Sequence, residues 1–231
     1  MSLTIDGFRQ EFENLVRSNN VNWEVHGFLG PNGLVFPFGT DSKVISTVFE
    51  TFVAPIVTEI AAAHGYVVEG ADQTIYPDFT LTPKGCSSNR IAIDVKTTYR
   101  RFNRSGKVQP FRFTLGSYTS FLRHPDQTKN ILHPYIEYSG HWIIGFLYSR
   151  KQNVPAKLHM SLKGLKPFCP YENVEFFVQE KHLVAGDSPG SGNTANIGSF
   201  PTARIEDLRD GGKGPFKTKS DCDKYWRNYK K

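Results

Sequence analysis

Residues 141–148 (HWIIGFLY) form a near-continuous apolar run between polar flanks. This pattern indicates a central β-strand that is buried on both faces, so other elements must cover both sides of its sheet. Four more segments have strand-like patterns: residues 66–69, 78–82, 90–95 and 174–178. Turn-forming residues connect the second and third of these segments, which favours their pairing as a hairpin.

Two segments have the apolar periodicity of helices, residues 4–20 and residues 42–64. Asp41 or Ser42 is a suitable N-cap for the second helix, and Gly65 is a suitable residue to end it. Strands and helices alternate irregularly along the chain. The predicted fold class is therefore α/β (α+β), with a mixed β-sheet flanked by helices.

Three other segments are assigned from local composition. Residues 117–123 are predicted to begin a helix, and residues 186–199 to form a Gly/Ser/Asn-rich loop. The charged tail, 204–231, carries an aromatic cluster that is expected to dock a last helix.

The length of 231 residues predicts a single domain, 1–231. The sequence contains no run of 18 apolar residues and no apolar stretch near its start, which argues against a membrane span and a secretory signal. Its three cysteines form no CxxC pair, so neither a disulfide framework nor a cysteine-based zinc site is expected. These features predict a cytoplasmic protein with no membrane partner.

The net charge of +6 is distributed unevenly along the chain. Residues 1–70 carry three Lys or Arg and eight Asp or Glu, so the basic residues are concentrated further along. Residues 96–131 hold eight basic residues and one acid: Lys96, Arg100, Arg101, Arg104, Lys107, Arg112, Arg123, Lys129 and Asp126. A basic surface of this size indicates a polyanion such as nucleic acid, although a solvated face that aids solubility fits the charge alone equally well.

The strongest chemical signal is Pro77-Asp78, followed after fifteen intervening residues by Asp94-Val95-Lys96. Asp94 and Lys96 lie two apart on a predicted strand and therefore share a face. A hairpin with the strand that starts at Asp78 would bring two carboxylates together, which requires a cation between them. Oxygen ligands suit Mg²⁺, and a lysine beside the metal fits hydrolysis of a phosphodiester.

Alternatives to this interpretation remain open, because an Asp-x-Lys pattern is often only a surface ion pair. Glu50 lies on the polar side of the helix 42–64 and is either a third acid of the same site or a solvated glutamate. Lys43, earlier on the helix, either faces a phosphate or is simply exposed.

The loop 186–199 contains Gly-x-Gly but lacks the further glycine and the βαβ context of a dinucleotide-binding fingerprint. It offers exposed backbone amides and the amide side chains of Asn193 and Asn196. Because asparagine pairs bidentately with adenine in the major groove, the loop fits base recognition, although a flexible surface loop is the simpler interpretation.

Asn32-Gly33 between two apolar runs predicts a hairpin within residues 20–40. The hairpin carries more large apolar residues than two strands usually bury. Either it folds onto the protein's own core, or it forms a subunit interface.

These motifs resemble the type II restriction endonucleases of the EcoRV kind, a branch of the PD-(D/E)xK nuclease superfamily. The resemblance is carried by blocks that follow in order from residue 41: residues 41–50, 64–69, 76–81, 91–99, 113–121, 141–145, 185–199 and 225–229. The first 40 residues match weakly. Ala195 stands where the family's pattern has Thr, and Thr74 where it has Asn.

The resemblance implies a homodimer that grips duplex DNA and cuts both strands with Mg²⁺, without any other protein partner. Asp78 and Asp94 would bind the metal, Lys96 would be the catalytic lysine and Glu50 an auxiliary acid that also binds metal. The implied DNA-binding residues are Lys43, Gln73, Thr74, Thr97, Thr98, Thr119, Ser120, Gly190, Ser191, Gly192, Asn193, Thr194, Ala195 and Asn196. The implied target is GATATC, cut to blunt ends, and residues 20–40 would form the dimerisation hairpin.

Two other functions remain possible on the same core. One is a DNA repair or structure-specific nuclease, which would require mismatches or branches. The other is a DNA-binding module that has lost its activity, although the intact Asp/Asp/Lys set argues against it.

Overall fold

The computed structural model describes residues 3–72, 74–86, 88–151, 159–161, 163, 169–190 and 195–230. The helices are α1 (Ile5–Ser18), α2 (Ser42–Ala63), α3 (Lys181–Val184), α4 (Ile205–Asp210) and α5 (Lys219–Asn228). The strands are β1 (Phe28–Leu29), β2 (Val35–Phe36), β3 (Tyr66–Gly70), β4 (Phe79–Pro83), β5 (Arg90–Arg100), β6 (Thr114–Ser117), β7 (Tyr138–Arg150), β8 (Tyr171–Glu180), β9 (Ala185–Pro189) and β10 (Asn196–Ser199).

The central sheet has five strands in the order β3-β4-β5-β7-β8. β5 and β7 are parallel, whereas every other neighbouring pair is antiparallel. The predicted mixed sheet is therefore confirmed. The apolar run 141–148 lies in β7, next to β5, and is buried along its whole length, as its sequence predicts.

Helices α1 and α2 cover one face of this sheet. Thr4 Oγ1 caps α1 by accepting from the Gly7 N–H at 3.2 Å, and Asp41 Oδ1 caps α2 by accepting from the Lys43 N–H at 2.8 Å. Gly65 follows α2 with a φ of +76°, which suits its predicted role in ending the helix. By length and composition α2 is apolar enough to cross a membrane, but its apolar stripe packs in the core against α1 and the sheet.

The other face of the sheet is covered by the C-terminal part of the chain. A second sheet, β6-β10-β9, packs there together with α4 and α5. Trp226 of α5 is fully buried, and its indole N–H donates to the Gly186 carbonyl at 3.1 Å. The prediction of a docked terminal helix is thus confirmed, and the sheet is covered on both sides.

The predicted hairpin within residues 20–40 is present as β1 and β2. Its Val35 is buried and exchanges two backbone hydrogen bonds of 3.0 Å with Met160. Phe28, Leu29 and Phe36 remain 55%, 68% and 39% exposed. One part of the hairpin is therefore covered by another segment of the same chain, while the other part presents an apolar surface.

Two local predictions were wrong. Ser117 ends β6 and residues 118–123 form turns instead of a helix, because Tyr118 N–H donates to the Ala195 carbonyl at 3.1 Å and ties the segment to the start of β10. The ends of the predicted loop 186–199 are the paired strands β9 and β10, which we call the recognition hairpin after the role that the resemblance implies. Gly198 is needed there for close strand contact, since a Cβ would lie 2.7 Å from the Ser188 carbonyl oxygen.

Candidate active site

The antiparallel pairing of β4 with β5 brings two acidic residues together. Phe79 lies opposite Ile93, so Asp78 and Asp94, the next residues outward, lie side by side. Asp78 Oδ2 accepts a hydrogen bond from the Val95 N–H at 2.6 Å. This bond fixes the Asp78 carboxylate against the neighbouring strand.

Lys96 joins this pair because residues two apart on a strand share a face. Its Nζ lies 2.8 Å from Asp94 Oδ2 and 3.3 Å from the Val95 carbonyl oxygen. The side chain of Asp94 is only 3% exposed, whereas that of Lys96 is 24% exposed. The structure thus brings together the three residues that the sequence pattern selects, with the lysine nearer the solvent.

The charge of Asp94 affects the ionisation of Asp78. Burial, and next the charge of Asp94, raise the pKa of Asp78 to about 7. Burial lowers the pKa of Lys96, but the charges of Asp94 and Asp78 outweigh it, so the net shift is upward. Asp94 Oδ2 is buried and faces the Lys96 ammonium.

This arrangement fits a divalent cation bound by oxygen atoms. Two buried carboxylates repel each other, and a cation between them would remove the repulsion. Within the described residues, no group of three or more His, Cys, Asp or Glu forms a complete metal cage. Asp78 and Asp94 would therefore supply part of the shell and leave positions for water or phosphate oxygens, as Mg²⁺ usually requires.

Glu50 lies near the pair but is bonded elsewhere. Its Oε1 accepts from Ser46 Oγ at 3.2 Å, one turn earlier on α2. Burial raises the pKa of Glu50, and the charges of Lys96 and Asp94 act on it in opposite directions. A cavity lined by Lys43, Glu50 and Asp78 joins the helix to the acidic pair. Glu50 thus lines the same cavity as Asp78.

The acidic pair lies in a cleft of about 500 Å³. The recognition hairpin, the turn after β6 and the segment before β4 all line it. Five of the residues with an implied DNA contact are among its lining: Thr74, Thr119, Ser120, Ala195 and Asn196. Ser117 and Asn130 also line the cleft. The sequence offered no signal for these two beyond the position of Ser117 in one of the matching blocks.

Other implied DNA-binding residues lie outside this cleft. Thr98 shares a face of β5 with Lys96 and lines a separate cavity with Arg112. Thr97 faces the opposite side of the strand, so the two threonines do not point together. Gly190 ends the first strand of the recognition hairpin, where its N–H donates to the Asn196 carbonyl at 3.0 Å.

Five of the implied DNA-binding residues lie outside the described residues: Gln73, Ser191, Gly192, Asn193 and Thr194. Their neighbours are placed by the structure. Ala195 and Asn196 line the cleft, and Asn196 begins β10.

Thr74, at the rim of the cleft, has a φ of +76°. A β-branched residue rarely adopts this left-handed conformation, whereas asparagine tolerates it. The asparagine of the family's pattern is therefore the residue that this backbone suits. Strained backbone of this kind tends to persist where a binding site requires it.

Comparisons with known proteins agree with this geometry. The sequence profile of the family described as "Restriction endonuclease EcoRV" matches residues 19–231. The chain is 42% identical over 226 residues to the type II restriction enzyme EcoRV of Escherichia coli. The alignment covers 96% of this chain and 89% of that protein.

Proposed function

The chain belongs to the EcoRV family of type II restriction endonucleases, which are site-specific deoxyribonucleases, and we propose that it is a Mg²⁺-dependent homodimer that cuts both strands of a short palindrome. Enzymes of this family use divalent metal ions. One observation supports the proposal most directly: the Asp78–Asp94 pair and Lys96 line the same cleft as the recognition hairpin. Catalytic and base-reading groups can then act on one bound DNA.

In this proposal Asp78 and Asp94 hold the ion, and Glu50 assists as an auxiliary acid. Bound Mg²⁺ would make a water more acidic and neutralise charge on the scissile phosphate. Lys96 donates hydrogen bonds from a charged group beside Asp94, so it can orient the attacking water and stabilise negative charge on the phosphate. Its higher pKa keeps the ammonium protonated at neutral pH.

The proposed DNA contacts are of two kinds: some position the phosphate backbone, and others recognise base pairs. Side chains with hydroxyl or ammonium groups would contact phosphates: Lys43, Thr97, Thr98, Thr119 and Ser120. Gln73 and Thr74 would approach the minor groove. Residues 190–196 would read the outer base pairs from the major groove, where asparagine can recognise adenine. The concentration of basic residues between residues 96 and 131 supports binding to a polyanion.

The homodimer is supported by the exposed apolar part of the β1–β2 hairpin. Phe28, Leu29 and Phe36 would be covered by the same surface of a second copy. A two-fold dimer explains a palindromic target, because each subunit then reads one half-site and cuts one strand. We place the enzyme in the cytoplasm, where its DNA substrate is present, with no membrane and no further protein partner.

The proposed target is GATATC, cut at its centre. Plasmid DNA incubated with the protein and Mg²⁺ should give discrete fragments, and sequencing of their ends should show blunt cuts between the central T and A. A plasmid that differs only in one base pair of the site should stay intact.

Other outcomes of this digestion would favour other functions. Blunt cutting at a different palindrome would contradict the target sequence alone. A requirement for mismatches or branches would indicate a repair or structure-specific nuclease. DNA binding in Ca²⁺ without any cleavage in Mg²⁺ would indicate a binding module.

We also expect the specific complex to bend its DNA. The central TA step of the target unstacks easily, and a bend of 40–90° costs on the order of 1–6 kcal/mol by elastic estimates. Such a cost depends on sequence and allows discrimination at base pairs that no side chain touches. Fluorescence energy transfer between dyes at the two ends of a duplex, measured in Ca²⁺, should rise on binding. Unchanged transfer in a saturated specific complex would contradict this expectation.

A further inference from the structure

A buried lysine lies behind the cleft, and neither the sequence pattern nor the proposed mechanism uses it. Lys181 begins α3 and is only 4% exposed. Its Nζ has no hydrogen-bond partner among the described residues. An ammonium group that is buried without such a partner is costly, so a neutral side chain of similar size would be the cheaper occupant. The presence of a charged side chain at this position therefore needs an explanation.

The ammonium is held by aromatic rings instead of a carboxylate. Lys181 Nζ lies 4.9 Å from the ring centre of Tyr76 and 5.4 Å from that of Phe121. The two rings stack on each other with centres 4.8 Å apart. Cation–π contacts of this kind are strongest when the cation has lost its water. Lys181 thus fixes the position of both rings.

Both rings also form the wall of the catalytic cleft. Tyr76 and Phe121 line the cleft together with Asp78 and Asp94. Tyr76 precedes Asp78 by two residues, and its hydroxyl is 2.8 Å from His141 Nδ1, which anchors its other end. Through its contact with Tyr76, Lys181 therefore influences the position of the segment that carries Asp78.

The positive charge itself lies within electrostatic range of the acidic pair. Burial lowers the pKa of Lys181 to about 8, so its ammonium is charged at pH 7 and below, and Asp94 and Lys96 both act on it through their charges. Because buried groups are poorly screened, a charge in this position is felt by a cation bound in the cleft.

We propose that Lys181 is a positioning residue of the cleft, which seats the Tyr76–Phe121 wall behind Asp78 and whose fixed charge weakens cation binding by the Asp78–Asp94 pair. The inference rests on the proposed role of these two aspartates as cation ligands. It predicts a change in cation affinity whose direction distinguishes the loss of the charge from damage to the structure. Removing the charge while the rings keep their places should tighten cation binding, whereas damage to the wall should weaken it.

The test is a titration of the DNA-free protein with Mn²⁺, in which free Mn²⁺ is measured by electron paramagnetic resonance. Lys181→Met keeps the length of the side chain and removes its charge, and we expect its Mn²⁺ dissociation constant to fall about threefold or more. Lys181→Arg keeps the charge in a site that adjoins a cavity, and its dissociation constant should stay near that of the wild type.

Lys219 provides a matched control on the same cavity. Its Nζ is 2.7 Å from Asp223 Oδ2 and 4.7 Å from the ring centre of Tyr135, so it also places an ammonium against an aromatic ring, on a side chain that is 35% exposed. Unlike Lys181, it has a carboxylate partner of its own. Lys219→Met should leave Mn²⁺ binding unchanged.

Circular dichroism and thermal unfolding will show that each variant is folded, and Lys181→Gln replaces the methionine variant if that one is not. Unchanged Mn²⁺ binding in the folded neutral variant would overturn the proposed role of Lys181. Weaker binding would overturn the effect of its charge and leave the positioning of the two rings as its role. If the wild type binds no Mn²⁺, or if Asp94→Ala binds it equally well, the proposed metal site fails and this inference fails with it.

Discussion

An Asp94→Ala variant is expected to fold and to bind DNA, yet to lose cleavage by at least about 10³-fold, the scale of removing a group on which metal-assisted catalysis depends. Asp94 is central to the site, since it neighbours Asp78 and lies 2.8 Å from Lys96. Its loss removes half of the carboxylate pair and frees the lysine. Single-turnover cleavage at saturating protein measures the chemical step without the contribution of DNA binding.

Two controls separate this effect from general damage. Asp94→Asn keeps the shape of the side chain and removes its charge, and it should be nearly as inactive as the alanine variant. Asp207 is a matched carboxylate away from the cleft, with its Oδ1 2.6 Å from Lys213 Nζ. Asp207→Asn should cleave like the wild type. Substantial turnover by Asp94→Ala would show that the metal site has been assigned to the wrong residues.

The same substitution has a consequence for stability that depends on pH. The pKa of Asp78 is raised from 3.8 to about 7 by burial and by Asp94. The folded protein therefore keeps a proton that the unfolded chain releases, and stability falls as pH rises through this window. With Asp94 removed, the pKa of Asp78 drops, so the folded protein loses less stability as pH rises. In EDTA, the variant's Tm should improve relative to the wild type between pH 5 and pH 8.

The grouping of Asp78, Asp94 and Lys96 could be predicted because each of its relations is local in the sequence. The two-residue period of β5 puts Asp94 and Lys96 on one face, and a short hairpin connection brings Asp78 beside them. The same period separates Thr97 from Thr98, which the resemblance had grouped together. Local pattern thus determines which residues share a face, but a family correspondence by itself does not.

Other features depend on contacts between segments that are distant in the sequence, so the local sequence pattern does not indicate them. The apolar residues at 117–123 suit a helix, yet a hydrogen bond from Tyr118 to Ala195 holds them in turns. Glycines in the recognition hairpin suggest a loop, although Gly198 serves close strand packing. Lys181 looks like a surface lysine in the sequence, and only the packing of Tyr76 and Phe121 around it makes it a buried charge.

Replacing Leu29 by Asp is expected to convert the proposed homodimer into monomers. Leu29 lies beside Phe28 on the exposed part of the β1–β2 hairpin. A carboxylate buried there without a partner, at the contact of two apolar surfaces, costs several kcal/mol. About 3 kcal/mol corresponds to a dissociation constant roughly 100-fold higher. Sedimentation velocity over a range of protein concentrations measures the change, and coordinated cutting of both strands should be lost with the dimer.

Ile136→Asp is the matched control, because Ile136 is 73% exposed and Leu29 is 68% exposed. Ile136 differs in its surroundings: its neighbour Glu137 pairs with Arg90, so an added carboxylate there stays in contact with water. This variant should sediment like the wild type. If Leu29→Asp also sediments as a dimer, the apolar surface of the hairpin has another partner and the two-fold axis lies elsewhere. If the wild type is itself a monomer at micromolar concentration, cutting of both strands at a palindrome would require that two copies meet on the DNA.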